Sequence, residues 1–491
     1  MTPAHTSHER RWRVAALVVL VIAGVAIAAG VRGTPAPVGA APSPSALVGA
    51  PDAESTAWYC TGQSAAGGVS PGFLVLTNTA PRPVSAAITF VSDSGATAHA
   101  IATVPPRGVV VPAIPALSGS WESETVITSG GGLAVTQTVS DALGWSQAPC
   151  QSTTSDQWYF AGGSTAAANE LYVSLFNPTA TPVVVDLSFV TPAGTVHPIN
   201  YQGIVLPAGQ VAVENVATEV QEISTVSTIV TTRTGRVVAA EVQELIGAGG
   251  TTGGLSLVPG VMTPQSHWVI PQAQEVPGGP SEIDVFNPGS TTESVTVRFR
   301  LPSGPLAPLS KKVLPGTTWA LPASAQTRIP DNQTYATAID ATGGSGVVVS
   351  RSVGVIDGAT PPPQAGMALA VDGLSSAVPT HEWVVPPPGT SGSPAVSGAA
   401  PEYLALFNAS ASSETYSATA TTASGNKVVA AGTLQAGTEV VVPASTLAVA
   451  GLDPIVVRAS GPLAVSEDVG PSAGIGMVSM PGIPLAAAID A

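Results

Sequence analysis

The sequence predicts an all-β body of four tandem Ig-like antiparallel β-sandwich units behind one N-terminal transmembrane helix. Three observations carry that expectation. An Asn stands 17 residues before a Gly four times over, in Asn78 and Gly95, Asn177 and Gly194, Asn287 and Gly304, and Asn408 and Gly425. A Trp opens each unit upstream, at Trp58, Trp158, Trp268 and Trp383, with spacings of 100, 110 and 115 residues. Val14 to Val31 is a run of 18 residues with no charge and no strongly polar group. Periods near 100 residues point to arrayed domains, because solenoid and propeller repeats run at about 20–50 residues. Units packed on one another into one compact multi-sheet body are the architectural alternative.

Composition supports many short strands. Apolar residues make up 44% of the 491 and charged residues only 10%, while 52 Gly and 46 Pro break up Val-rich runs throughout. Val and Thr favour strands, and regular Gly and Pro supply turns. Residues 33–491 carry 12 basic against 30 acidic side chains, a net charge of −18. A body of that sign offers no electrostatic footprint to nucleic acid, which is excluded as a partner.

The chain divides in order as follows. Residues 1–13 are a short tip holding Arg10, Arg11 and Arg13. Residues 14–31 would cover about 27 Å as a helix, close to the hydrocarbon core of a bilayer. The preceding arginines keep the tip in the cytoplasm and send the rest outward, as a single-pass membrane protein with an extracytoplasmic bulk. A signal peptide cleaved after Ala26-Ile27-Ala28, giving a secreted protein, is the other reading. Residues 32–56 form a Pro/Ala-rich linker expected to be an extended spacer. Units one to four span 57–152, 153–264, 265–380 and 381–491. Each offers about seven strands separated by turn chemistry every 8–12 residues, a sandwich pattern. In Val295, Val297, Phe299 and Leu301 the apolar residues alternate with Thr296, Arg298 and Arg300, which implies one core face and one wet face.

The repeated residues read as architecture. In Glu170 to Gly194 the Asn177-Pro178 pair ends a strand, because Pro presets φ, lacks an N–H, and follows an Asn able to bond backbone two residues on. Thr79 and Ala409 replace that Pro in two copies, so the Asn-to-Gly spacing is the invariant feature. The four Trp are expected to pack over the end of each unit, with a sugar-stacking platform as the rival role. Cys60 and Cys150, the only cysteines, bracket unit one and are expected to form a disulfide in an oxidising compartment. A polar residue recurs in the last strand of each unit, as Gln137, Glu241, Arg351 and Glu467, and suits an inter-sheet or inter-domain hydrogen bond. Glu214, Glu219, Glu222, Glu241 and Glu244 are expected to form a solvated acidic face.

No catalytic constellation, cofactor motif or metal-ligand spacing stands out. The nucleophile elbow, the S-x-x-K pair, the zinc-protease helix and the phosphate-binding loop are all missing. His267 and His381 flank two of the Trp, but two units lack a His there.

The Trp58-Tyr59-Cys60 and Trp158-Tyr159-Phe160 starts, the Leu175-Phe176-Asn177-Pro178 and Val285-Phe286-Asn287-Pro288 turns and the later Pro-x-Gly turns carry a resemblance. They resemble an actinobacterial family of single-span or secreted envelope proteins, catalogued as a domain of unknown function. That resemblance implies envelope location and tandem β architecture, and carries no catalytic residues. The sequence thus suggests a non-enzymatic extracytoplasmic scaffold or binding protein, with an envelope protein or cell-wall glycan as partner. An accessory or sensor subunit of a membrane-linked glycan-assembly enzyme is the second reading.

Overall fold

A computed structural model of the chain describes residues 46–486 except 247–252, 275–280, 354–367, 371–380, 388–398 and 472–477, and except positions 51, 66–67, 142, 167, 324, 331–332, 423–424, 449 and 451–452. The described residues are almost entirely β, in eight small antiparallel sheets. The first repeat sets the pattern with β1 (Thr56–Ser64), β2 (Gly72–Asn78), β3 (Val84–Ser92), β4 (Thr97–Val104), β5 (Val109–Val110), β6 (Trp121–Thr128), β7 (Leu133–Ser140) and β8 (Trp145–Pro149). One sheet, β1-β6-β3-β4, holds the Trp strand; the other, β5-β2-β7-β8, holds the Asn strand. Repeats two to four rebuild both, so Trp sheets and Asn sheets alternate along the ring described next.

The four tandem Ig-like sandwich units are corrected by how these sheets pack. Within a repeat the two sheets share a core, as where Trp58, Leu74, Phe90, Val126 and Val135 meet in repeat one. Part of the other face of each Trp sheet is also covered, although Ala87, Ile101 and Ile127 stay exposed on it in repeat one. Val91 packs with Phe176 of the next Asn sheet, and Val190 packs with Phe286 of the one after. Val269 and Ala336 meet Phe407, and Val384 of repeat four joins the core of repeat one. Strand β8 lies against Gly253–Pro259 and Val478–Pro481, and Ala368–Ala370 touches both of those strands, so four inner strands close a circle. The fold is therefore an eight-bladed β-propeller of small sheets, two blades per repeat. One end of the expected wet face, at Arg298 and Arg300, meets the next blade, while Ser294 on the same face stays exposed.

Hydrogen bonds cross the same junctions. The Thr61 and Ser174 hydroxyls lie 2.6 Å apart, as do those of Ser227 and Thr318 at 2.7 Å, and Gln151 Nε2 donates to the Ala239 carbonyl at 2.9 Å. The ring closes through its ends. Val48 N–H donates to the Pro484 carbonyl and Ala486 N–H to the Val48 carbonyl, both at 2.9 Å. Ala46, Val48 and Ala50 are buried, so this part of the expected spacer is docked.

The transmembrane helix expected at 14–31 lies outside the described residues. Among the described residues no helix is long and apolar enough to cross a membrane. A single-pass anchor therefore has no support in the structure, and the membrane assignment is withdrawn.

The repeated Asn is a bracket for its turn. Asn177 Oδ1 accepts from Thr179 N–H at 3.0 Å, while Nδ2 donates to the carbonyls of Thr181, Leu206 and Pro207 at 2.8, 3.1 and 2.9 Å. Asn78, Asn287 and Asn408 do the same with Arg82, Thr291 and Ser412, and all four side chains are fully buried. The bracket is identical without Pro, at Thr79 and Ala409, because the amide makes it. Seventeen residues on, Gly95, Gly194, Gly304 and Gly425 have φ of 82°, 122°, 127° and 134°, where a side chain is strained. Replacing Asn177 with Ala strands several buried carbonyls and an N–H. We expect a loss of roughly 2–4 kcal/mol, read as a lower urea midpoint. An unchanged midpoint would show that the side chain is not what holds the turn.

Candidate binding cleft between the third and fourth repeats

Most of the residues singled out by the sequence lie inside the scaffold. Trp58, Trp158, Trp268 and Trp383 are all at most 2% exposed. Trp158 Nε1 donates to the Val237 carbonyl at 3.0 Å and Trp268 Nε1 to Val347 at 2.7 Å, so these rings clamp a Trp sheet to its Asn sheet. None can stack on a sugar from solvent. Cys60 and Cys150 are bonded and join the two sheets of repeat one, next to the Tyr59–Gln151 backbone pair.

The recurrent polar residues Gln137, Glu241, Arg351 and Glu467 are all buried. Each lies opposite a core residue of its own repeat: Leu74, Val173, Ile283 and Leu404. Gln137 Nε2 reaches Gln63 Oε1 across the two sheets at 3.4 Å. Glu241 is thus no part of a solvated acidic face, and burial pushes its carboxyl up to about 8. Glu219 and Glu222 are the exposed members of that set.

A cleft emerges where the repeats differ. Strand pairing places Val91, Val190 and Arg300 at one equivalent position of the Trp sheets, each following the core residue Phe90, Phe189 or Phe299. In the first two junctions that Val seals against a Phe of the following repeat. In the third that place holds Arg300, beside an apolar contact of Val269 and Ala336 with Phe407. Its neighbours are smaller as well. The same pairing puts Ala338 where the second repeat has Ile229, and Val269 where it has Tyr159. The result is a cavity of about 290 Å³. Arg298, Arg300 and Ala338 line it from repeat three, and Phe407, Ser410 and Gly437 from repeat four.

Its electrostatics are unusual for so acidic a body. The Asp340 carboxylate accepts from His267 Nδ1 at 2.6 Å and is also paired with Arg298. That leaves Arg300, half-buried, whose Nε is buried with no hydrogen-bond partner. Gly437 (φ 66°) lies against the guanidinium: a Cβ there would sit 3.0–3.1 Å from its carbon and terminal nitrogens. On the repeat-four side Glu439 stands opposite Phe407, and burial pushes its carboxyl up to about 9, so it is neutral near pH 7. The cleft therefore carries a net positive charge. Among the described residues no group of three His, Cys, Asp or Glu side chains could hold a metal ion.

The sequence shows Arg298 and Arg300 plainly, as polar residues alternating with core residues. It does not reveal that this face meets another blade. The available signal was the break between copies, with Arg at a place where two other repeats have Val.

The family model described as "Family of unknown function (DUF5719)" matches residues 110–445. The chain belongs to DUF5719. The DUF5719 match begins inside the first repeat and ends in the fourth, so it takes in every cleft residue named above. Comparison with curated proteins gave no match. One solved structure similar to this DUF5719 chain is described as a tetra-tandem repeat in the extending region of a large adhesion protein. It is 13% identical, with 84% of this chain and 94% of that one covered, at a TM-score of 0.14. A likeness that slight carries no argument about fold or function.

Proposed function

We propose that this protein is a non-enzymatic binding or scaffold protein of an oxidising, extracytoplasmic compartment. One observation carries the binding reading. Beside the apolar contact of Val269 and Ala336 with Phe407, the third junction of the ring opens a cleft in which Arg300 stands where the first two junctions have Val, its Nε without a hydrogen-bond partner among the described residues. Burying an uncompensated charge opposes folding, so a function is the natural reason for retaining it. The rest of the ring supplies rigidity, since each described blade packs on two others. The buried disulfide supports the compartment, because such bonds persist where thiols are not kept reduced. The partner classes are an envelope protein or a cell-wall glycan.

Two measurements test this. Crosslinking and pull-down from intact envelopes should capture a defined protein or polymer with the wild-type ring. Capture no different from that of an unrelated acidic β protein would remove the binding reading. Alkylation of cells before lysis should find Cys60 and Cys150 blocked until a reductant is added. Thiols that react at once would contradict the compartment.

A further inference from the structure

We infer that the cleft between the third and fourth repeats is an oxyanion site, in which Arg300 receives a carboxylate at the end of a small polar ligand such as an acidic sugar. The inference rests on the binding reading above and names the chemistry of its site. Three features of the cleft lead to it.

The first is the state of Arg300. Its Nε is shielded from water and has no hydrogen-bond partner, while Gly437 lets the flat guanidinium lie against the backbone of repeat four. A guanidinium also offers its two terminal nitrogens as a parallel pair of donors, which matches the two oxygens of a carboxylate. Asp340, the carboxylate lining the same cleft, is already bound by Arg298 and His267.

The second feature is space. About 290 Å³ is at the low end for ligand pockets and suits a small molecule or the terminal residue of a longer one. Phe407 and Ala338 provide an apolar floor, so an ion pair formed there is poorly screened.

The third is contrast with the rest of the ring. The equivalent places hold Val91 and Val190, which pack directly on Phe176 and Phe286. The fold thus has an available apolar solution at this position, which the first two junctions use and the third does not; repeat four has Thr421 there.

The test uses the full chain with acetate, glucuronate and sulfate as probes and glucose as the neutral control, followed by calorimetry and ligand-observed NMR. Acetate and glucuronate should bind in the millimolar range, glucuronate more tightly, and glucose should not bind. Sulfate should bind more weakly than glucuronate, since the paired donors fit a planar group better. Arg300→Val installs the residue of the first two junctions and should leave the urea midpoint unchanged or raise it. It should also weaken glucuronate by about tenfold or more, the usual effect of removing a charged hydrogen-bond donor. Ala338→Ile keeps Arg300 but fills the floor with the residue found at the second junction, and should weaken glucuronate without removing the charge.

Glucose binding as well as glucuronate would overturn the inference, as would Arg300→Val binding as well as wild type, or no probe binding at tens of millimolar. Envelope capture that survives Arg300→Val, together with absent probe binding, would overturn the oxyanion site and leave the binding role standing. Loss of specific capture with probe binding intact would do the reverse.

Discussion

Reducing the Cys60–Cys150 disulfide is expected to lower the stability of the ring by roughly 4–5 kcal/mol, the chain-entropy value for a loop of its size. The bond closes a sequence separation of 90 residues. That loop contains almost the whole first repeat, and its ends lie on two different blades. Without the bond, β1 and β8 are still held by their ladders, by the Tyr59–Gln151 pair and by packing within the ring, but no covalent link joins the two blades. The first repeat also receives Val384 and Leu485 from repeat four, so loosening it weakens the ring closure. The measurement is a urea midpoint with and without reductant, repeated with a Cys60→Ala, Cys150→Ala double variant. The two routes should agree. A midpoint insensitive to verified reduction would show that loop entropy is not what the bond contributes.

The second large effect is a fall in stability from mildly acidic to alkaline pH. Burial raises Glu241 to about 8 and Glu439 to about 9, and it raises Glu124, Glu467 and Asp284 as well. For Glu241 the unfolded chain has the ordinary value of 4.5. Below that value both states hold the proton, so the group has no effect on the equilibrium. Between 4.5 and about 8 the folded state keeps a proton that the unfolded state has released. Each unit of pH then removes about 1.4 kcal/mol per such group, levelling off above the folded value. The full span for Glu241 is up to roughly 4–5 kcal/mol. The ring should therefore have a distinctly higher urea midpoint at pH 5 than at pH 8.5. Glu241→Gln should flatten that dependence and stabilise the protein at the alkaline end. A profile that rises with pH would contradict the assignment of these carboxyls as buried and neutral.

Some of the architecture was legible because it is local. A turn bracketed by a buried Asn amide and answered by a left-handed Gly repeats wherever those residues stand at that spacing. The chemistry acts within about 30 residues, as the Asn177–Pro207 contact shows. The Cys pair was legible by counting. Glu241 was misplaced among surface acids because its strand neighbours do not reveal that its side chain points into the repeat's own core. The Trp residues could be read as packing or as platforms, and only burial separates those roles.

Strand content, the fourfold repeat and the Asn–Gly hairpin were all determined by the sequence alone. The propeller was decided by tertiary structure, and the reason lies in how the chain is threaded. In the first repeat β1, β3, β4 and β6 build one blade while β2, β5, β7 and β8 build the other. The chain crosses between the two blades several times, so no single-blade period exists in the sequence. What repeats is the pair, at 100 to 115 residues, about twice the span of an ordinary propeller blade. Part of the second face of each Trp sheet looks polar or mixed in one dimension and becomes an interface only when the ring closes. The cleft at Arg300 exists for that same reason: a residue on an apparently wet face becomes a binding group once another blade is set against it.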